Sequence, residues 1–339
     1  MLTYEEFKGV LKEKLLDYMP EEFSEHKIVF RENFKINLKT EGLELVPHMD
    51  RSDTSAPLVD VKDMYSYYLG NKNLEKTLQY MAIQIFRAYQ EVDRQELSKI
   101  SSMDREEFLQ NVIMVLINTE QNRELLKRTP HREFLDLSVV YQVPVKADSE
   151  HYGMARVTNE WASKLQVTEN ELYKMAMINT KMMYPPMVNS MKSMIKELCN
   201  DLDISPLNMD HKLEDHAMYV ITNEENIFGA NGMLYEDVLY GMAGIINSNL
   251  YILPSSLHEL IVVKADSLDL KHLQETVRTI NEYELSPKDK LSDNVYHYDK
   301  TLRKVTIAAE VPVKEKGIIE ENRSRMEGEA KPWQRTRRL

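Results

Sequence analysis

One cysteine, Cys199, stands among 339 residues, so no disulfide can form within the chain. That absence fits a reducing compartment, and the expected location is the cytoplasm. No stretch approaches 18 uncharged apolar residues, so no membrane span is expected. The glycine-rich phosphate loop is missing as well. Gly229-Ala-Asn-Gly232 comes nearest, but no Lys-Ser or Lys-Thr follows it. It falls inside an apparent strand, where a bulge or a tight backbone approach is expected. Positive charge is short: 43 Lys and Arg face 55 Asp and Glu, for a net charge of -12. An acidic surface repels phosphate backbones, so general nucleic-acid binding is not expected. The only basic concentration is KPWQRTRRL, with Lys331, Arg335, Arg337 and Arg338 and no acid. It reads as a solvated, flexible tail over 313–339, or alternatively as a tether to an acidic partner. The opening MLTYEEFKGVLKEKLL lacks the basic segment and unbroken apolar core of a secretory signal.

What is present is the composition of a folded protein, 42% apolar and 29% charged. A chain of this length can bury roughly three quarters of its unfolded surface and needs no metal or disulfide to fold. Phe7, Val10, Leu11 and Leu15 recur at helical spacing over 5–19. HKIVF and FKINLKTEGLELV read as strands, with alternation at Ile36, Leu38, Leu43 and Leu45 around a turn at Glu41-Gly42. The loop RSDTSAPLVD leads to a third strand or extended piece. Leu74, Leu78, Met81, Ile85 and Tyr89 mark a helix over 74–92. A second long helix is expected over 104–128, capped by Asp104 with Glu107 in support. A strand follows at 137–143. Thr168 and Glu171 form a capping box, and the helix they open stops at Pro185-Pro186. Another helix is expected over 187–199, then a polar surface loop over 200–216.

Beyond that loop the periods suggest β-β-α-β-β-α-β-β. MYVITN and FGANGMLY read as paired strands turning at Asn223–Asn226. EDVLYGMAGII is a short helix; NLYILP and LIVVK are strands. A helix over SLDLKHLQETVRTINEY points Leu270, Leu273, Val277 and Ile280 inward, and VYHYDKTLRKVTIAAEV closes as a hairpin near Asp299-Lys300. Strands and helices do not alternate singly, so the fold class is α+β. It has an N-terminal α/β part (1–98), a helical middle with one strand (99–199) and a C-terminal antiparallel or mixed sheet with helices on one side (217–312).

The candidate site residues each have a structural and a chemical reading. In YILPSSLHELIVV, Ser255, Ser256, His258 and Glu259 lie within five positions. On a continuous strand Ser256 and His258 would share a face, and Glu259 could not hold the far nitrogen of His258. The glycines of a nucleophile elbow are also missing. If the stretch turns, Ser256 and Glu259 have capping-box spacing. A hydrolase or transferase using a serine with His258 would need a carboxylate from elsewhere. In PHREFLD, His131 and Arg132 suit a helix C-terminus and Asp136 could pair with Arg132; the alternative is an arginine that binds carboxylate or phosphate. Asn118 and Asn122, one turn apart on the expected helix, could fix packing or bind an extended backbone. His211 and His216 sit among acids, but their spacing matches no zinc motif. Seven methionines fall between Met175 and Met194, at a spacing that places them in the core, with a groove for a partner helix as the alternative.

PHREFLDLSVVY, TENELYKMAMINT, MYVITN with GANGMLY, YILPSSLHELIVV and LSDNVYHYD, in this order, resemble a bacterial family catalogued as a domain of unknown function. The PHRxxxDLxVVY and YxLPSSxHE patterns are its most specific marks, and the resemblance covers roughly residues 1–310. The family is found in gut anaerobes, often near mobile elements. A second uncharacterised bacterial family is similar through DLSVVY, YVITN and YILPSS. The resemblance implies a soluble cytoplasmic protein and brings no activity, cofactor or catalytic residue. No cofactor is expected. The leading reading is a non-enzymatic accessory protein that binds another protein. A Ser/His hydrolase or transferase and a metal-binding protein are the alternatives.

Overall fold

The computed structural model describes residues 1–47, 57–91, 102–146, 152–191, 193–194, 218–265 and 269–309. The chain opens with helix α1 (Tyr4–Lys14), started by a Thr3–Glu6 capping box and continued by a 3-10 turn over Leu15–Tyr18. Strands β1 (His26–Lys35) and β2 (Leu38–Pro47) form an antiparallel hairpin, with β3 (Val59–Asp60) added to β2. The hairpin turns at Ile36-Asn37, not at Glu41-Gly42; Asn37 takes the left-handed φ of 60° that the tight reversal needs. Gly42 instead lies within β2, where a Cβ would meet Leu58 Cδ2 at 2.8 Å. Helices α2 (Val61–Asn71) and α3 (Leu74–Glu91) close this part over a core that includes Phe7, Leu11, Leu43, Leu45, Tyr68 and Ile85. The sequence reading placed no helix at α2. Its signals are the Asp60 carboxylate, which accepts the amides of Lys62 and Asp63, and the stripe Val61, Met64 and Tyr68.

The long helix expected over 104–128 is three elements. Helix α4 (Arg105–Asn111) starts at the predicted Asp104 cap and ends where Val112 turns extended. Strand β4 (Ile113–Asn118) and the single turn α5 (Arg123–Leu126) follow. IMVLIN satisfies helical spacing only because nearly every residue is apolar, and a strand buried on both faces has no period of its own. Strands β5 (His131–Phe134), β6 (Leu137–Lys146) and β7 (Tyr152–Arg156) complete a four-stranded antiparallel sheet with β6 at its centre. Helices α6 (Asn159–Lys164) and α7 (Glu169–Met183) follow, the second opened by the predicted Thr168–Glu171 capping box.

After Pro185-Pro186 the chain forms strand β8 (Met187–Ser190), not the start of a helix. The proline pair holds the backbone extended, and β9 (Met218–Thr222) offers a ladder to join. Of the rest of the expected helix, Met191, Ser193 and Met194 are helical, whereas Cys199 and the 200–216 loop with His211 and His216 lie outside the described residues. FGANGMLY is no strand either. Gly229–Leu234 is a 3-10 helix entered through Phe228 at φ 51°. Helix α8 (Glu236–Ile246), strands β10 (Leu250–Leu253) and β11 (Leu260–Lys264), helix α9 (Leu270–Tyr283) and strands β12 (Val295–Asp299) and β13 (Lys304–Ala309) agree with the sequence reading. The six-stranded sheet runs β13-β12-β10-β11-β9-β8, antiparallel throughout.

The class is therefore α+β with antiparallel sheets. Leu250, Ile252, Val262 and Tyr296 of the large sheet join one core with β4, β6, α7 and α8. Leu253, Val263 and Val295 on its other face meet Leu273 and Val277 of α9. Helices thus lie on both faces, where one side was expected. On α9 the predicted Ile280 is exposed, and Asn281 takes the buried place because it reaches the Ser292 carbonyl at 2.9 Å.

Candidate functional site

The LPSSLHE stretch is the connection between β10 and β11. Of the two geometries weighed, it adopts the turn. Its polar pairs are shifted from a capping box: Ser256 Oγ accepts the His258 amide at 3.0 Å, and the Ser255 hydroxyl donates to Glu259 Oε1 at 2.9 Å. The Ser256 amide closes the loop on the Glu259 carbonyl, and Leu257 N–H donates to the Asp289 carbonyl. His258 Nδ1 accepts the Phe228 amide at 3.3 Å, which puts the proton of the neutral ring on Nε2. Nε2 lies 3.5 Å from Asp289 Oδ1, so a carboxylate does reach this histidine from elsewhere in the chain. Both ring nitrogens are engaged, and among the described residues neither serine hydroxyl is bonded to the ring. The corner packs against Gly229, where a Cβ would stand 2.3 Å from the His258 carbonyl oxygen. The tight approach expected of that glycine is found, and it explains the left-handed residue before it.

PHREFLD supplies two networks, and both differ from the expected Arg132–Asp136 pair. Arg132 lies on β5 rather than at a helix end. Its guanidinium grips Glu169 at 3.0 and 2.7 Å, bonds Asn170 Oδ1 at 2.6 Å and lies 3.9 Å from the centroid of the Tyr173 ring. The Tyr141 hydroxyl donates to the same carboxylate at 2.5 Å. Strand and helix therefore bring together residues that sequence reading kept apart. Burial pushes the Glu169 carboxyl up, but the bonds from Arg132 and Tyr141 outweigh it, so its pKa is lowered. A lowered folded-state pKa gives stability that is complete above the unfolded carboxylate pKa and is lost as pH falls through the folded one. Arg132→Met is expected to cost about 2 kcal/mol at neutral pH, because the charged bonds are partly open to solvent. It should also flatten the loss of stability on the acid side, as read by urea titrations across pH 3–7. An unchanged acid limb would count against this assignment.

Asp136 sits at the β5–β6 turn beside Leu135, which is held at φ 59°. Its carboxylate accepts from Ser292, Asn294 and Tyr296 of the LSDNVYHYD run, at 2.7, 3.1 and 2.8 Å. His131 Nδ1 is 3.0 Å from the Thr129 carbonyl. Asn118 and Asn122 are not on one helix, yet they do meet. Asn122 Nδ2 donates to the Asn118 carbonyl and to Asn37 Oδ1, both at 2.7 Å, and Asn122 Oδ1 accepts the Asn37 amide. Asn118 Nδ2 reaches the Leu291 carbonyl at 3.0 Å. These amides fasten the β1–β2 tip and the 288–291 segment to the central sheet.

A cluster that the sequence reading missed seals β4. On the margin turned away from β6, Thr180 Oγ1 accepts the Met114 amide at 2.9 Å. Asn231 accepts the Leu116 amide at 3.0 Å and donates to the Met114 carbonyl at 2.9 Å. Asn179 donates to the Leu109 and Val112 carbonyls, both at 2.9 Å. Two buried side chains, Thr180 and Asn231, thus do the work of a neighbouring strand, and Asn179 caps the end of α4 just before it. The legible signal was polar residues inside otherwise apolar runs, TENELYKMAMINT and GANGMLY.

The methionines divide. Met175 and Met177 pack against the main core. Met182, Met183 and Met187 do not, being 69%, 38% and 40% exposed, and Ile178 and Val188 are 59% and 40% exposed. Ile178 and Met182 lie one turn apart on the outer face of α7. Met187 and Val188 belong to β8, the terminal strand of the large sheet. Among the described residues no three His, Cys, Asp or Glu side chains cluster to hold a metal. No helix there is long and apolar enough to cross a membrane.

An α+β architecture with two antiparallel sheets on a shared core is the class this chain defines. It belongs to DUF5688, a family of unknown function, whose match runs over residues 4–300. No curated protein and no solved structure matches it.

Proposed function

We propose that this chain is a non-enzymatic interaction protein of the cytoplasm, which docks an extended, apolar segment of another protein along β8. The observation that carries the reading is the segment from Met182 to Val188, where Met182, Met183, Met187 and Val188 are exposed, with exposed Ile178 one turn before Met182. It has no charged side chain between Met182 and Ser190, in a chain that is 29% charged. Terminal strands are commonly protected by charge, proline or a bulge, and MVNS has none of these. Among the described residues no strand pairs with the outer margin of β8; such a margin recognises an extended chain, and methionine adapts to varied apolar partners. The Ser255 hydroxyl donates to Glu259, Ser256 Oγ accepts the His258 amide and both His258 nitrogens face other partners, which favours this reading over a hydrolytic one.

The test is cross-linking of the purified protein to partners from its host, with the cross-links mapped by mass spectrometry. Cross-links should fall on 178–190. The double variant Met182→Glu/Val188→Lys should recover about tenfold less partner with an unchanged melting temperature. Partner recovery unaffected by that variant, or cross-links confined elsewhere, would overturn the proposal.

A further inference from the structure

We propose that Arg156 and Arg128 form a site for a phosphate dianion, free or at the end of a monoester, where β5 and β7 abut. Both strands pair with β6 on the side away from β4. Arg156 is opposite Gln142 and His131 is opposite Val140, so the two occupy neighbouring places on one face of the sheet. At this junction the chain around Arg128 is tied to the chain after Arg156. The Thr129 hydroxyl donates to the Val157 carbonyl, the Asn159 amide to the Arg128 carbonyl at 3.0 Å, and Asn159 Nδ2 to the Lys127 carbonyl at 3.1 Å. Arg128, just past α5, is therefore held beside the end of β7.

Neither arginine has an acid. Arg156 is half-buried, yet among the described residues its guanidinium has no hydrogen bond and no carboxylate within 4.0 Å, and the same holds for Arg128. Gln142, directly across the ladder, is 7% exposed with an unpartnered side-chain oxygen, and Arg156 does not take it. The charge that acts on Arg156 is a second cation: burial lowers its pKa from the ordinary value, and Arg128 lowers it further. The acids around α5 are already engaged, Glu124 by Lys127 and Glu120 by Arg123, both at 2.5 Å. Glu133 shares the face but pairs with Ser138, roughly 13 Å along β6 from Gln142. Positive charge is thus left uncompensated at Arg128 and Arg156, although the chain as a whole is acidic.

A desolvated cation with no counter-ion is unfavourable, and a second cation beside it adds repulsion. An anion between the two reverses both effects. One carboxylate fills one guanidinium fork, as Glu169 does for Arg132. Two forks need more acceptor oxygens, and a phosphate dianion offers a bidentate bond to each together with a charge that matches both. The Arg128 guanidinium is already set in place, 4.6 Å from the centroid of the Phe34 ring. This site is charged and far in character from the apolar β8 run, and it does not rest on docking there.

The experiment is isothermal titration calorimetry of the full chain with inorganic phosphate, with phenyl phosphate and with acetate, at two ionic strengths. Saturable one-site binding of the two phosphates is expected, weaker at the higher salt. Tighter binding of the ester identifies a phosphorylated molecule as the ligand, and equal or tighter binding of the free ion identifies phosphate itself. Arg156→Gln and Arg128→Gln should each weaken binding about tenfold or more, with unchanged circular dichroism. Arg156→Lys, which keeps the charge without the fork, should recover only part of it. Met182→Glu/Val188→Lys should leave it unchanged. No saturable phosphate binding by the parent chain, equal binding of acetate, or parent-like binding by both glutamine variants would overturn the proposal.

Discussion

Asn231→Ala is expected to lower the unfolding free energy by about 3–5 kcal/mol, the largest single loss among the residues described above. Asn231 is 2% exposed, and its amide serves two backbone groups of β4 at once. Truncation leaves the Leu116 N–H and the Met114 carbonyl buried with no partner on that side. Each such group costs about 1–3 kcal/mol, since water cannot enter to replace the bond. Against a total stability of about 5–15 kcal/mol the loss is severe. Asn231→Asp should not rescue it, because a carboxylate would face the Met114 carbonyl oxygen. Thr180→Val removes one acceptor from the same margin and should cost about half as much. The two substitutions should also couple, because both act on Met114. Urea unfolding with unchanged m-values is the measurement. An Asn231→Ala midpoint equal to the parent's would remove the side-chain seal from the account of this fold.

Asp136→Ala ranks second, at about 3 kcal/mol. Its carboxylate gathers three donors from the segment before β12 and from β12 itself, more than 150 residues away. Tyr296 is fully buried, and that burial lifts its phenol well above the usual range, with the Asp136 charge adding to the effect. The tyrosine is thus a protonated donor at neutral pH, and it needs an acceptor. Tyr296→Phe should cost only about 1 kcal/mol, because Asp136 keeps its bonds to Ser292 and Asn294. The asymmetry between removing an acceptor shared by several donors and removing one of its donors is the content of the prediction. Equal losses for Asp136→Ala and Tyr296→Phe would contradict it.

Much of the architecture was legible where a local rule operates. The Thr168–Glu171 capping box, the Asp104 cap, the β10–β11 strands around LPSSLHE and the β12–β13 hairpin all follow from spacing within a few residues. The resemblance carried by five short runs proved to be family membership over most of the chain. The failures share a cause. IMVLIN is buried on both faces, which erases the alternation that marks a strand. FGANGMLY reads as a strand from its apolar ends, and only the tight backbone approach expected at its glycines is right: Gly229 is small because the His258 carbonyl lies against it. Met182 and Met187 fit a core pattern, but among the described residues nothing buries them, and they stay 69% and 40% exposed.

The sequence by itself determined the α+β class, most element types and the family, because periodicity, caps and turn residues act over a turn or two of chain. Tertiary structure alone decided which polar groups meet: Arg132 with Glu169, Asp136 with Tyr296, Asn231 with β4. It also decided which apolar residues face water. Those outcomes depend on contacts between segments up to about 160 residues apart, and a buried hydrogen bond is set by which donor and acceptor are brought together, a matter on which local spacing is silent.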